Sequence, residues 1–297
     1  MRHAFVEELA RFAAESADER LTAIAQRAAA PLRVAVRGRR GVGCSTVARA
    51  LNHVIVDDDP EVVVYVIAEV VKPEDVRAVG AAGCPVLAVL NKADVTGFAG
   101  DGPMALARAR SEHFSALLGV PVEPMIGLLA LAAQDDALEL DVQALGPFGL
   151  AVATAAVRKG KTDAELRALL RWVSGVDTVR ERIVAVGAEV RYRRMLDAVA
   201  ELEALAVSDN AAGTFLARDD TVLARMAAAI DVAESAGLEV RQCRDAGGYL
   251  SQAARWQRYS RGSVSDLHRA CGADIARGSL RLWSRTCGSL PDAARRV

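Results

Sequence analysis

Residues 62–71 read Val-Val-Val-Tyr-Val-Ile-Ala-Glu-Val-Val, a β-branched run with almost no polar alternation. A strand that keeps one face in water alternates apolar and polar residues. A continuous apolar run needs cover on both faces, as a parallel strand between two layers of helices has it. Neighbouring segments agree. Residues 32–36 and 85–90 are short apolar runs, and 54–56 and 120–126 read as further strands. Between them, residues 45–51, 73–82 and 103–118 carry helical patterns, and Pro73 with Glu74 and Asp75 suits a helix start. Strands alternating with helices specify an α/β fold with a parallel sheet.

The strand signal fades beyond residue 150. Residues 163–173, 178–207, 219–236 and 248–259 read as helices, with Thr162 or Asp163 as an N-cap. Residues 264–285 are largely helical, with a stop expected near Gly272 or Gly278. Residues 3–29 form an amphipathic helical pattern through Phe5, Leu9, Phe12, Leu21 and Ile24, ended by Pro31. The expected organisation is a leading helix at 1–31 packing on the helical region, an α/β domain at 32–150 and a helical domain at 151–297.

Composition narrows the function classes. In 297 residues, 37 basic side chains face 38 acidic ones, which argues against a dedicated nucleic-acid binder. The 52% hydrophobic content excludes a disordered chain. Five cysteines without paired spacing suit a reduced, cytoplasmic protein. Residues 1–5 do not open a signal peptide, and no apolar run has membrane-spanning length. The near-zero charge conceals an asymmetry: residues 1–150 sum to −6 and 151–297 to +5. That basic half permits attraction to anionic lipid, hence peripheral attachment at an inner membrane face. It is weak support, because 33 of the 37 basic residues are Arg, a coding bias that loads every face with arginine.

The first apolar run leads into Gly38-Arg39-Arg40-Gly41-Val42-Gly43-Cys44-Ser45-Thr46. This resembles the phosphate-binding P-loop pattern G-x-x-x-x-G-K-[ST], in its strand–loop–helix context. Glycines let backbone N–H groups wrap a phosphate at a helix N-terminus, and Ser45 stands where a hydroxyl would hold Mg²⁺. Cys44 stands where the lysine belongs and supplies neither its charge nor its reach. Three readings remain open: a structural turn, a phosphate site drawing charge from Arg39 or Arg40, and a reactive thiol activated by the helix N-terminus.

The 85–90 run leads into Asn91-Lys92-Ala93-Asp94. The chain holds three Asn and four Lys, so a chance N-K-x-D has an expectation on the order of 0.003. It follows a buried strand, at the end where ligands bind in such sheets. The motif is that of GTPases. The resemblance implies that Asp94 accepts hydrogen bonds from a guanine edge, that the Lys92 stem covers the base and that Asn91 ties the loop to the P-loop. Gly127-Leu128-Leu129-Ala130 takes the place of the loop that packs on guanine, with backbone N–H groups in place of its serine.

The resemblance to the P-loop GTPase core covers about residues 32–132 and departs from it by deletion. Only 46 positions separate Ser45 from Asn91, which leaves no room for switch I. Asp57-Asp58-Asp59-Pro60-Glu61 lies near the place of D-x-x-G without its glycine, and Asp57 is a candidate Mg²⁺ ligand beside Ser45. A leading helix, a reduced core and a long helical region together resemble bacterial dynamin-like GTPases. Residues 169–176 and the helix after them look like the segment that leads into the stalk. The resemblance implies a pseudo-GTPase acting through a protein partner, plausibly a paired dynamin-like GTPase. Alternatives are a slow GTPase and a non-hydrolysing guanine-nucleotide module, so the cofactor is GTP or GDP with Mg²⁺, or none. In the helical half, Trp172, Trp256, Trp283, Tyr192, Tyr249 and Tyr259 read as bundle core, or else as partner anchors. His268 and Cys271 have metal-ligand spacing with no second pair of ligands.

Overall fold

The computed structural model describes residues 4–52, 55–56, 58–95, 97, 102–134, 142–241 and 243–287. Asp57, Val54 and the first and last residues of the chain fall outside them. The described residues are α/β and 69% helical, with a four-stranded, all-parallel sheet and a helical C-terminal region. In order it runs α1 (Ala4–Ser16), α2 (Glu19–Ala29), β1 (Val34–Gly38), α3 (Cys44–Leu51), β2 (Val62–Ile67), α4 (Pro73–Gly80), β3 (Val86–Leu90), a 3-10 turn (Ala93–Val95), α5 (Pro103–Leu118), β4 (Val122–Pro124), α6 (Gly127–Ala132), α7 (Val142–Arg158), α8 (Asp163–Ser174) and α9 (Val176–Val186). There follow α10 (Ala188–Ala206), α11 (Asn210–Ala217), α12 (Asp219–Ser235), α13 (Ala246–Ser260) and α14 (Asp266–Cys287).

Two compact units result. One comprises Leu32–Gly187, the other Met1–Pro31 with Ala188–Val297. The expected break at 150 falls inside α7, and the division lies at 187/188. The reason is apolar burial. Leu166 and Leu170 of α8, and Val176, Val179 and Ile183 of α9, belong to the cores around the sheet.

In the sheet unit, strand order follows sequence, β1-β2-β3-β4. The six residues of β2 are all buried, as are the five of β3. Alternate side chains divide between two cores. Val63, Tyr65, Ile67, Val86, Ala88 and Leu90 face one layer with α5, α7 and α8. Val62, Val64, Val66, Leu87 and Val89 face the other, with α3 and α9. The strand stops before residue 71 because Glu69 turns at φ 62°. Of the expected strand at 54–56, Ile55 bridges in parallel to Val34 of β1 and Val56 N–H donates to the Val34 carbonyl at 2.9 Å, while Val54 lies outside the described residues.

In the helical unit, the pattern expected as one helix over 3–29 is two. Ala17 takes φ 51°, and the Asp18 carboxylate accepts from the Arg20 N–H to cap α2. These helices pack on α10 and α12, and Phe12 stacks on Phe215 at 4.6 Å between ring centroids. The 178–207 helix breaks at Gly187. By contrast α14 runs straight through Gly272 and Gly278. A Cβ at Gly272 would lie 2.9 Å from the Trp256 carbonyl, and one at Gly278 2.5 Å from Met226 Cβ, so these glycines admit close helix packing and do not end the helix. No helix among the described residues is long and apolar enough to cross a membrane.

Candidate functional site

Parallel pairing brings the carboxyl ends of β1 and β3 to one edge of the sheet, with β2 between them. The Gly-rich loop leaves β1 there and Asn91-Lys92-Ala93-Asp94 leaves β3. Backbone bonds fix the second loop: Asn91 N–H donates to the Ile67 carbonyl at 2.9 Å and Ala93 N–H to that of Met125 at 3.2 Å.

The Asn91 side chain is 3% exposed and joins three loops. Its Nδ2 donates to the Val42 carbonyl at 2.9 Å, and its Oδ1 accepts from Gly127 N–H at 3.0 Å. Such a buried amide rigidifies whatever it joins, since any lost partner leaves a desolvated polar group. The glycines on either side are required by closeness. A Cβ at Gly43, which also sits at φ 92°, would lie 2.5 Å from Asn91 Nδ2, and one at Gly127 3.0 Å from Oδ1. Lys92 adds a second tie, its Nζ donating to the Gly41 carbonyl at 2.9 Å. Asp94, in the 3-10 turn, is half-buried, and burial raises its carboxyl above the usual 3.8 although Lys92 opposes the shift.

The phosphate-loop residues are placed as a turn into α3. Gly41 and Gly43 take φ 90° and 92°. Cys44 is the first residue of α3, its Sγ 2.9 Å from where a Gly38 Cβ would stand, so the thiol is tucked against the loop. Burial pushes that thiol above its usual pKa, which tells against the reactive-thiol reading among the three left open. Ser45 and Arg40 are exposed, and Thr46 is half-buried with its methyl against Gly127.

Arg39 is committed elsewhere. Its Nε donates to Asp75 Oδ1 at 2.8 Å and its Nη2 to the Val70 carbonyl at 3.3 Å. Asp75, wholly buried, also accepts from Tyr65 Oη at 3.0 Å and from Lys72 N–H at 2.8 Å, closing the N-terminus of α4. Burial, with Asp75 beside it, pushes the Tyr65 phenol up to about 12. At the other end of α3, Arg180 of α9 donates to the Leu51 carbonyl at 3.1 Å and to that of Ala50 at 2.8 Å, and Gln134 Nε2 joins it on Ala50 at 2.6 Å. Sequence reasoning missed both anchors. Tyr65, the one aromatic in the 62–71 run, was the available signal for the first.

The remaining candidates separate. Asp57 lies outside the described residues. His268 Nδ1 is 2.8 Å from Tyr259 Oη, and Cys271 is buried beside Tyr192, so their spacing does not make a ligand pair. No group of three or more His, Cys, Asp or Glu that would hold a metal occurs among the described residues. Trp256 and Tyr192 are core, Trp283, Tyr249 and Tyr259 are half-buried, and Trp172 on α8 is 76% exposed, which corrects its reading as core.

Comparison of the chain with protein-family models, curated proteins and solved structures finds no match.

Proposed function

We propose that the chain is a GTPase-derived pseudo-enzyme, resembling the bacterial dynamin-like GTPases, that keeps the loop scaffold of a P-loop domain and acts by binding an active GTPase partner. The observation that carries this reading is Asn91. One buried amide joins the Gly-rich loop, the N-K-x-D loop and the loop after β4, the tie that the resemblance implies. β1 ends the strand order, and the short bridge from Ile55 lies on the side where the deleted switch strands would add.

The residues present fit the backbone part of a guanine-nucleotide site and not its charge. A triphosphate needs a cation at its β- and γ-oxygens. Cys44 offers a thiol that burial keeps neutral, and Arg39 is held by Asp75. Ser45 offers one hydroxyl to a metal ion. What remains is a rigid α/β unit presenting Trp172, and Trp is the residue type most enriched among interface hot spots. A non-hydrolysing guanine-nucleotide module is the second reading, favoured by Lys92, whose Nζ is bonded to the Gly-rich loop at Gly41, and by Asp94 two residues further on.

The test is nucleotide content and affinity of the purified full chain, with and without Mg²⁺. The pseudo-enzyme reading expects no GTP turnover and no tight binding, and expects Cys44→Lys to strengthen binding. Micromolar GTP affinity abolished by Asp94→Ala would establish the second reading instead. Turnover lost in Ser45→Ala would overturn both. For the partner, Trp172→Ala should weaken a complex with a co-expressed intact GTPase at least tenfold.

A further inference from the structure

The Asn91–Asp94 loop has a neighbour that the resemblance does not explain. Within α7 the backbone breaks at Gly146, which takes φ 63° and ψ 176°, a region open almost solely to glycine. Pro147 follows and cannot donate a helical hydrogen bond. The break lies against the Asp94 carboxylate: a Cβ at Gly146 would sit 3.6 Å from Asp94 Oδ2, in ordinary van der Waals contact. The residues on either side are pinned down. Leu145 is 3% exposed and belongs to the same core as Ala93 and Leu129. Gly149 lies so close to the wholly buried Leu129 that a Cβ there would overlap its Cδ2. The helix therefore bends at the one residue that allows it, and packing on both sides holds that bend against Asp94.

We propose that residues 145–149 are a cover on Asp94, an autoinhibitory contact made by the chain itself, which must swing on Gly146 before the N–H edge of a purine base reaches that carboxylate. The burial that raises the Asp94 carboxyl agrees with this geometry. The cover rests on the second reading above, in which Asp94 is a base-recognition residue. It adds to that reading a closed resting state, so that apparent affinity is reduced by the fraction of molecules that are open.

The test places a reporter under the cover of the full chain. Asp94→Cys is alkylated with iodoacetamide and followed by peptide mass. Its rate should be about tenfold below that of the same chain in urea. Adding Leu145→Ser, which unpins the segment, or Gly149→Leu, which wedges it from Leu129, should restore most of that tenfold. A parent rate within twofold of the unfolded chain overturns the cover, as does a slow parent that neither folded variant accelerates. If both variants unfold, the urea dependence of labelling in the parent decides. A shallow dependence marks a local opening and supports the cover; one as steep as global unfolding overturns it. Titration of a fluorescent GDP analogue into Leu145→Ser with Asp94 intact addresses the underlying reading separately. Affinity at least tenfold tighter than in the parent supports both. Fast reporter labelling without nucleotide binding overturns the base-recognition reading and leaves the cover standing.

Discussion

At the scale of single residues, Asn91 and Asp94 do opposite things to stability. Asn91 is buried with both ends of its amide used, by Val42 and Gly127. Truncation leaves a buried carbonyl and a buried N–H without partners, so Asn91→Ala should cost about 3 kcal/mol in urea unfolding. A loss under 1 kcal/mol would mean that the loops are held by other contacts. Asp94 is a liability. Its folded pKa lies above the ordinary 3.8 because burial disfavours the charge. The folded state therefore binds the proton more tightly than the unfolded chain does. Below pH 3.8 both states are protonated and the group is neutral to stability; as pH rises from there through the folded pKa, stability falls. Asp94→Asn should be more stable than the parent at pH 7, and the gap should close as pH is lowered towards 4. Parallel curves across that range would refute the assignment.

At the scale of elements, α3 is an eight-residue helix, too short to hold itself, and it is fastened at both ends. Its C-terminal carbonyls accept from Arg180 and Gln134, which satisfies orphan acceptors and sets a cation at the negative end of the helix dipole. Arg180→Met, which keeps much of the stem, should cost about 2 kcal/mol through these lost charged bonds and speed amide exchange along α3. A second element-scale prediction concerns α14. Gly278→Ala places a methyl 2.5 Å from Met226 Cβ, so it should destabilise by about 2 kcal/mol although alanine is the better helix former. These elements also mark what the sequence makes legible. The unbroken run of β2 announces a strand covered on both faces, and the scarcity of Asn and Lys makes Asn91–Asp94 stand out. The glycines of α14 misread as stops, because a glycine for close packing and a glycine for a turn are the same letter. Asp75 reads as an ordinary first-turn acid and gives no sign that it draws Arg39 away from the loop. Nor does the pattern of α7 and α8 name the core that buries them, since periodicity fixes a face and not its partner.

At the scale of the whole molecule, the two units are assembled differently from the chain. The sheet unit is one continuous stretch, Leu32–Gly187, whereas the helical unit combines two separate stretches, with α1 and α2 from the front of the chain and α10–α14 from the back. A continuous stretch with its own cores on both faces of a sheet should fold when excised. The fragment spanning residues 32–187 retains Leu166 and Leu170 on one face and Val176, Val179 and Ile183 on the other. It also keeps Arg180, which fastens α3, and Ser174, whose carbonyl accepts from Ile126 N–H at 2.9 Å beside the loop that Asn91 holds. A fragment ending at residue 150, where the strand pattern stops, cuts α7 in half and removes all of these. It exposes one apolar strip on each side of β2 and β3, whose residues are buried on both faces. The 32–187 fragment should therefore unfold cooperatively in urea, while the 32–150 fragment should aggregate or melt without a sharp transition. The same two fragments place the site within the sheet unit. Asp94→Cys in the 32–187 fragment should be alkylated at the rate found in the full chain, because the cover and its pins on Leu129 lie within that stretch. A cooperative 32–150 fragment would show that α8 and α9 are accessory to the sheet and would return the boundary to residue 150.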